Sequence, residues 1–180
     1  MAGMIGRLQT MPAREHPELL APPVAAALEA GSAAGAEVVR IDPDHADTAK
    51  LTEVYDVPME VSANCVIVTG RRGGRERHAA CVVLAHTRAD VNNVVRRRLD
   101  ARKASFASAD FATEASGMEY GGITPVGLPE DWPVLVDARV VEAPYVVIGS
   151  GIRGSKLVVP GTALADLPGA EVVDGLASPA

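Results

Sequence analysis

Aromatic side chains are scarce in this sequence, since Phe, Trp and Tyr together make up 3% of its 180 residues. A hydrophobic core therefore has to be built mainly from Val, Ala, Leu and Ile. Apolar residues make up 48% and charged residues 22% of the chain, which is typical of a globular domain and excludes a disordered one. The length predicts one domain with a sizeable core.

Long hydrophobic runs are also missing. The longest ones, such as residues 79–85 and 144–148, are far too short to cross a bilayer, and the N-terminal residues lack the apolar stretch of a signal peptide. Only two cysteines are present, Cys65 and Cys81, which is no disulfide framework, and we expect both to be buried as small hydrophobic residues. The sequence thus predicts a cytoplasmic protein with no membrane partner.

The usual catalytic sets of hydrolases cannot be assembled from these residues. No serine stands in a G-x-S-x-G elbow, and no Cys or His pair has the spacing of zinc ligands. Residues 149–154 match the G-x-G-x-x-G pattern of dinucleotide-binding sites. Residues 156–159 favour a strand, however, where that site needs a helix, so a glycine turn between two strands is the preferred interpretation. We expect no cofactor and no metal.

Basic residues are concentrated in one segment of an otherwise acidic chain. The net charge of −6 argues against general affinity for nucleic acids, and we expect no DNA partner. Residues 71–103 nevertheless contain ten basic and three acidic residues, a net +7, and the rest of the chain carries −13. Such a basic segment can bind the phosphates of a nucleic acid. The alternative is that it forms a hairpin tip and helix face that are merely solvated. The candidate phosphate-binding residues are Arg71, Arg72, Arg75, Arg77, Arg97 and Lys103.

The order of predicted elements favours a single α/β domain with a mixed sheet and surrounding helices. Residues 1–16 are predicted to be a flexible tail, and residues 17–180 the domain. Two apolar runs, residues 64–69 and 79–85, predict a hairpin with a long basic tip and both faces covered. Thr87 and Asp90 resemble a capping box before a helix. The last third is predicted to be rich in strands.

The loop of residues 117–133 is the remaining candidate site. Gly121 and Gly122 permit positive φ and close approach of backbone to a ligand, and Pro125 stiffens the path. Such a loop can present N–H groups to a carbonyl oxygen or a developing oxyanion without any charged side chain. A rigid surface turn without function is the alternative.

Residues 121–125, Gly-Gly-Ile-Thr-Pro, resemble the G-x-x-x-P loop of the YbaK/prolyl-tRNA-synthetase-associated editing domain family. The order of the surrounding elements is similar too. It comprises the hairpin, an amphipathic helix, a Lys-x-x-Phe segment at 103–106, the loop, a Val-Leu-Val-Asp strand at 134–137, and a glycine turn ending in Arg-Gly at 153–154. The resemblance covers roughly residues 18–175. It implies a mixed, mainly antiparallel and barrel-like β-sheet surrounded by helices.

The resemblance also implies a function, namely hydrolysis of the ester of a mischarged tRNA without metal, cofactor or serine triad. Its partners would be that tRNA, with the basic residues above contacting it, and an aminoacyl-tRNA synthetase. In the family the loop backbone holds the substrate and a lysine on the first hairpin strand positions it. The resemblance implies Gly121, Gly122, Thr124 and Pro125 as catalytic-loop residues, and Tyr120, Gly149, Ser150 and Gly151 as substrate-binding residues.

The sequence departs from the family pattern at the charged positions. Asn64 stands where the lysine is usual, Gly149 where serine is frequent, and Lys156 where many members have aspartate. We expect Lys156 to replace the missing cation, with Asn64 donating a hydrogen bond, and count both as catalytic candidates. The alternatives are a non-catalytic module that binds tRNA or a synthetase, and a small-ligand-binding protein with the same pocket.

Overall fold

The computed structural model of the chain describes residues 3–180, in which thirteen strands and six α-helices are found. Strands β1 to β13 are Met4–Ile5, Leu8–Gln9, Met11–Pro12, Glu37–Arg40, Ala63–Arg72, Arg75–Leu84, Thr87–Ala89, Lys103–Phe106, Val134–Asp137, Val146–Gly149, Ser155–Val159, Ala170–Val173 and Ala177–Pro179. Helices α1 to α6 are Pro22–Glu29, Thr48–Tyr55, Arg96–Arg98, Ala109–Ser116, Ala138–Glu142 and Gly161–Ala165. A π-helical turn, Val91–Val95, leads directly into α3.

Two open sheets form the framework. The larger has the order β12-β9-β6-β5-β8 and the smaller the order β10-β11-β4-β3, with two further two-stranded pairs. Among the described strands only β12 with β9 and β9 with β6 run parallel, so the predicted mixed, mainly antiparallel arrangement is confirmed. An isolated bridge between Ser62 and Val147 links the two sheets. Neither sheet closes on itself, so the barrel-like shape is not confirmed.

The central hairpin is longer and its turn tighter than predicted. Strands β5 and β6 pair from Ala63–Leu84 to Arg72–Arg75, which leaves only Gly73 and Gly74 between them. Both glycines have positive φ, 55° and 79°, as a two-residue turn of the primed type requires. The prediction of a long basic tip is therefore wrong, because the arginines on either side belong to paired strands.

Both faces of this hairpin are buried, as predicted. Ala80 and Val82 of β6 pack in the main core cluster, whereas Cys81 and Val83 pack in a second cluster on the opposite face. Cys65 pairs with Val82 and shares its face, so the two cysteines point to opposite sides of the sheet. Burial raises the pKa of the Cys81 thiol to about 12, which keeps it neutral and unreactive.

The N-terminal residues differ from the predicted flexible tail. Strand β3 joins the smaller sheet by pairing with β4, and Ile5 and Leu8 are buried in a third core cluster together with Val39. Burial of these apolar side chains anchors the segment, since each removes hydrocarbon surface from water. Residues 1 and 2, which the same prediction covered, lie outside the described part of the chain.

The predicted capping box is also wrong. Thr87 lies in β7, which pairs with β13, and its hydroxyl donates to the Leu84 carbonyl at 2.7 Å. Asp90 alone caps the following turn by accepting a hydrogen bond from the N–H of Asn93 at 3.0 Å. Helix α5 was not predicted. Within residues 3–180, no helix has the length and hydropathy needed to cross a membrane.

Candidate functional site

A cavity of about 760 Å³ opens between the two sheets. Strand β8 covers the outer edge of β5 only from Val68 to Arg71, so the first half of β5 has no strand from β8 beside it. The cavity lies against this part of β5 and is bounded by the loop of residues 117–133, which we call the glycine loop, and by β10 and β11. Its lining residues are Asp47, Ala63, Asn64, Cys65, Val66, Ile67, Phe106, Ala107, Ala109, Ala112, Tyr120, Gly121, Ile123, Gly149, Arg153 and Lys156.

Five of the residues singled out from the sequence meet in this cavity although they come from four separate segments. They are Asn64, Tyr120, Gly121, Gly149 and Lys156.

Lys156 is a buried cation in the cavity wall. It lies in β11 opposite Gly149 of β10. Its side chain is 9% exposed. Among the described residues, none forms an ion pair with its ammonium or accepts a hydrogen bond from it. Burial, and secondarily the charge of Arg153, lowers the pKa of Lys156 from 10.5 to about 8, while Asp47 opposes the shift.

Asn64 also lines the cavity, and its amide nitrogen is available. Its Oδ1 accepts a hydrogen bond from the Thr48 hydroxyl at 3.3 Å, which leaves Nδ2 as a donor toward a ligand. Thr48 opens α2, whose N-terminus is capped by Asp47 through a hydrogen bond from the N–H of Lys50 at 2.8 Å. The start of α2 thus fixes the orientation of Asn64 and places one carboxylate in the lining.

The glycine loop is interlocked with the turn between β10 and β11. The N–H of Gly151 donates to the carbonyl of Gly122 at 2.7 Å, and the N–H of Glu119 donates to the carbonyl of Gly151 at 2.8 Å. A Cβ at Gly122 would lie 2.9 Å from the Ile152 backbone, and one at Gly149 would lie 2.5 Å from the Gly122 oxygen. Backbone approaches backbone here, so neither position can take a side chain without movement.

Residues 149–154 form a glycine turn between two strands, as predicted from the sequence. It joins two antiparallel strands, β10 and β11, and no helix follows it, so its glycines do not form the phosphate-binding turn of a dinucleotide site. The Ser150 hydroxyl is enclosed within the turn, where it accepts a hydrogen bond from the Ser155 hydroxyl at 2.7 Å. This hydroxyl belongs to the packing of the turn and does not line the cavity.

Thr124 and Pro125 are likewise buried behind the cavity. The N–H of Thr124 points at the sulfur of Met118 at 3.4 Å, and its hydroxyl is buried without a partner among the described residues. These two residues, like Gly122, Ser150 and Gly151, do not line the cavity. They contribute to the packing of the loop and the turn. Within residues 3–180, no three His, Cys, Asp or Glu side chains gather where they could hold a metal ion.

Arg153 is a site residue that sequence reasoning did not assign. Its guanidinium donates to the carbonyls of Tyr120 at 3.2 Å and Pro43 at 3.0 Å, and its N–H donates to a Glu119 carboxylate oxygen at 2.8 Å. One side chain therefore ties the glycine loop to the segment before α2. The only signal in the sequence was the Arg-Gly pair closing the glycine turn, which says nothing about these partners.

The sequence of this region identifies the family. Residues 42–167 match the sequence profile of the aminoacyl-tRNA editing domain. The chain belongs to the aminoacyl-tRNA editing domain family. The editing domain's fold is also found in solved structures at low identity. A protein described as a candidate trans-editing enzyme for prolyl-tRNA synthetase matches at 21% identity and a TM-score of 0.72, over 86% of this chain and 94% of that chain.

Two further structures share the fold of this editing domain. A hypothetical protein matches at 20% identity and a TM-score of 0.69, over 78% of this chain and 90% of that chain. A scaffold protein from work on computational epitope grafting matches at 20% identity and a TM-score of 0.71, over 86% of this chain and 95% of that chain. At such identities the likeness concerns the fold alone.

The editing domain also carries a cationic surface at the turn end of its central hairpin. A groove of about 430 Å³ lies there. We call this the basic hairpin surface, and its basic residues are Arg71, Arg72, Arg75, Arg102 and Lys103.

Its charges are only partly neutralised. Arg71 pairs with Glu76 at 2.9 Å and Arg72 with Asp100 at 3.4 Å. No described acidic side chain forms an ion pair with Arg75.

Two of the predicted phosphate-binding residues lie beside this surface. The guanidinium of Arg77 donates to the Leu99 carbonyl at 2.9 Å, so it also ties β6 to the segment after α3. Arg97 is exposed on α3. Strand β5 connects this region with the cavity. From Asn64 to Arg71 it spans about 23 Å at the usual rise of a strand.

Proposed function

We propose that this editing domain acts in trans as an aminoacyl-tRNA deacylase, which hydrolyses the ester between a wrong amino acid and a tRNA in the cytoplasm. The observation that carries the proposal is the cavity. It combines a glycine loop, an unpaired buried lysine and a free amide donor within an aminoacyl-tRNA editing domain. These groups can hold an ester and its developing charge without an acid–base triad.

The glycine loop supplies the first element of the chemistry. Water attacks the carbonyl carbon and negative charge develops on the carbonyl oxygen. The bond to the ribose oxygen then breaks, and that oxygen leaves as a hydroxyl by taking up the proton that the water releases. Gly121 lines the cavity, and its N–H has no acceptor among the described residues, so it is available to donate to that oxygen. Preorganised backbone donors of this kind stabilise an oxyanion without cost of reorganisation.

Lys156 supplies the second element. Its ammonium takes the place of the lysine that Asn64 replaces, and binds the terminal phosphate or other polar groups of the substrate. An anionic partner offsets part of the cost of keeping this charge buried. The amide nitrogen of Asn64, in the same lining, donates a further hydrogen bond.

The basic hairpin surface supplies the third element, the contact with the RNA backbone. Its groove lies about 23 Å along β5 from Asn64, so a polynucleotide whose 3′ end enters the cavity can place phosphates against it. Neutralising a handful of phosphates releases enough counterions to hold a nucleic acid at moderate salt. The acidic remainder of the molecule disfavours unspecific contacts.

A second candidate function is a non-catalytic module that binds tRNA or a synthetase. The observation that favours it is Asn64, because the amine that positions the substrate in the family is absent from that strand. Both functions predict salt-dependent tRNA binding, and only the first predicts ester hydrolysis.

The two are separated by incubating the protein with a panel of tRNAs, each charged with a wrong amino acid, and measuring release of the amino acid. We expect release above the spontaneous rate for at least one pair. Binding without release from any tRNA would establish the non-catalytic module. Absence of both would leave a pocket for a small ligand.

A further inference from the structure

Two aromatic side chains stand exposed at the cavity. Phe106 is 57% exposed and Tyr120 is 70% exposed, and both belong to the lining. This chain has only six aromatic residues. Phe111 and Trp132 pack against His78 on the core side, with ring centroids 4.4 Å and 5.6 Å from the imidazole. Phe111 and Trp132 are thus packed against the core, whereas Phe106 and Tyr120 remain in solvent.

Because both rings remain exposed, folding does not gain the stabilisation that their burial would give. Burying a large aromatic side chain stabilises a protein appreciably, and exposed aromatic surface beside a cavity is typical of a binding site. Neither ring lies within a hydrophobic cluster of the structure. A ligand that covers them would recover the unused hydrophobic surface.

The two rings lie on well-fixed backbone. Phe106 is the last residue of β8, paired with Val68 of the central hairpin. The carbonyl of Tyr120 is held by the Arg153 guanidinium, and the next residue, Gly121, has a φ of 82° that sets the bend of the loop. A stacking partner would meet positions that are already ordered, so little entropy is lost when it binds.

Their location also suits one part of the proposed substrate. Strand β8 begins at Lys103 in the basic hairpin surface and reaches Phe106 about 10 Å further along. Phe106 thus stands between the surface assigned to phosphates and the cavity interior assigned to the ester, and Tyr120 shares the cavity lining with it. In an aminoacyl-tRNA the ester is carried by the ribose of the terminal nucleotide, so the base of that nucleotide lies next to it.

We propose that Phe106 and Tyr120 form a stacking site for the base of the 3′-terminal nucleotide. This inference rests on the proposed function, because it takes the substrate to be an RNA with its 3′ end in the cavity. Bases stack on exposed aromatic rings irrespective of their hydrogen-bonding edges. The site therefore contributes affinity and places the ribose ester over the glycine loop, while the cavity selects the amino acid.

The test compares binding of two uncharged RNA minihelices, one ending in an ordinary CCA and one whose terminal nucleotide has a ribose without a base. We expect the wild-type protein to bind the first more tightly, by roughly fivefold to 150-fold for one or two stacking contacts. Phe106→Leu and Tyr120→Leu should each reduce this preference, and the double variant should bind both RNAs equally. The conservative variants Phe106→Tyr and Tyr120→Phe should keep it.

Tyr145→Leu is the matched control, because Tyr145 is 38% exposed and does not line the cavity. It should leave the preference unchanged. A wild-type protein without the preference, or a double variant that retains it, would overturn the stacking site and assign the exposed rings to another contact. Deacylation without a base preference would reject the stacking site alone. A base preference without deacylation would support the stacking site and reject the catalytic proposal.

Discussion

Lys156→Met is expected to make this protein more stable while making it less active. The wild-type ammonium is buried in the cavity wall with no ion-pair partner among the described residues. Folding therefore removes a charge from water with only the charge of Asp47 offsetting part of the cost, and this lowers its pKa. Methionine preserves much of the stem and has no charge to desolvate, so the variant avoids this cost.

The magnitude and the pH range follow from the pKa of Lys156. It falls from 10.5 in the unfolded chain to about 8 in the folded protein, and each pH unit corresponds to about 1.4 kcal/mol. The charged lysine thus costs the wild type about 3 kcal/mol of unfolding free energy below pH 8. Between pH 8 and 10.5 the unfolded chain binds the extra proton, so wild-type stability rises with pH and the cost disappears.

The assay is urea-induced unfolding of wild type and Lys156→Met from pH 6 to pH 10. We expect the variant to be more stable by up to about 3 kcal/mol near pH 7, and the difference to shrink as pH rises through 8. Lys50→Met is the control, because Lys50 is exposed on α2 and pairs only with Glu53. A difference that does not change with pH, or a less stable Lys156→Met, would refute the desolvated charge.

Three further predictions concern activity and binding. The double variant Asn64→Lys/Lys156→Asp restores the usual family arrangement and should recover part of the deacylation that Lys156→Met loses. Equal deacylation rates in the double variant and in Lys156→Met would show that a lysine at position 64 cannot take over the role of Lys156. Gly121→Ala should lower stability by about 1–2 kcal/mol, because its φ of 82° disfavours a side chain. Its larger effect should be on activity, because the new Cβ would lie 2.3 Å from the Arg153 guanidinium and so displace the backbone that meets the substrate. Full deacylation by the folded variant would make the loop purely structural. Changing Arg71, Arg72 and Arg75 to Glu should weaken tRNA binding and reduce its salt slope by about one for each lost phosphate contact. The control Arg14→Glu should leave both unchanged. An unchanged slope in the triple variant would mean that these arginines are merely solvated.

Elements encoded locally could be predicted from the sequence. The nearly continuous apolar, β-branched runs of the central hairpin predicted two strands with both faces buried, and the core clusters on both sides of β6 confirm it. The hairpin turn was misjudged, because a run of arginines was taken for a loop. Those side chains extend from the pleated strands into solvent, and Gly73 and Gly74 alone make the turn.

The cavity depended on information that no short segment contains. Asn64, Gly121 and Lys156 were brought together by the resemblance, and the structure places all three in one lining. Arg153 and Asp47 were not assigned, because their roles depend on partners far away in the sequence, such as the Pro43 carbonyl that accepts from Arg153. The N-terminal strands were not predicted either, because strands of two residues are too short to show a periodic pattern.

The most direct test of the central claim is a single-turnover measurement on a mischarged tRNA that the panel identifies, with wild type, Lys156→Met and no protein. Spontaneous ester hydrolysis is subtracted at each pH. We expect the wild type to release the amino acid, and Lys156→Met to be at least roughly tenfold slower, which corresponds to about 1.4 kcal/mol in the barrier. Wild-type rates in Lys156→Met would contradict the role of this lysine, and no release above the spontaneous rate by the wild type would contradict the deacylase itself.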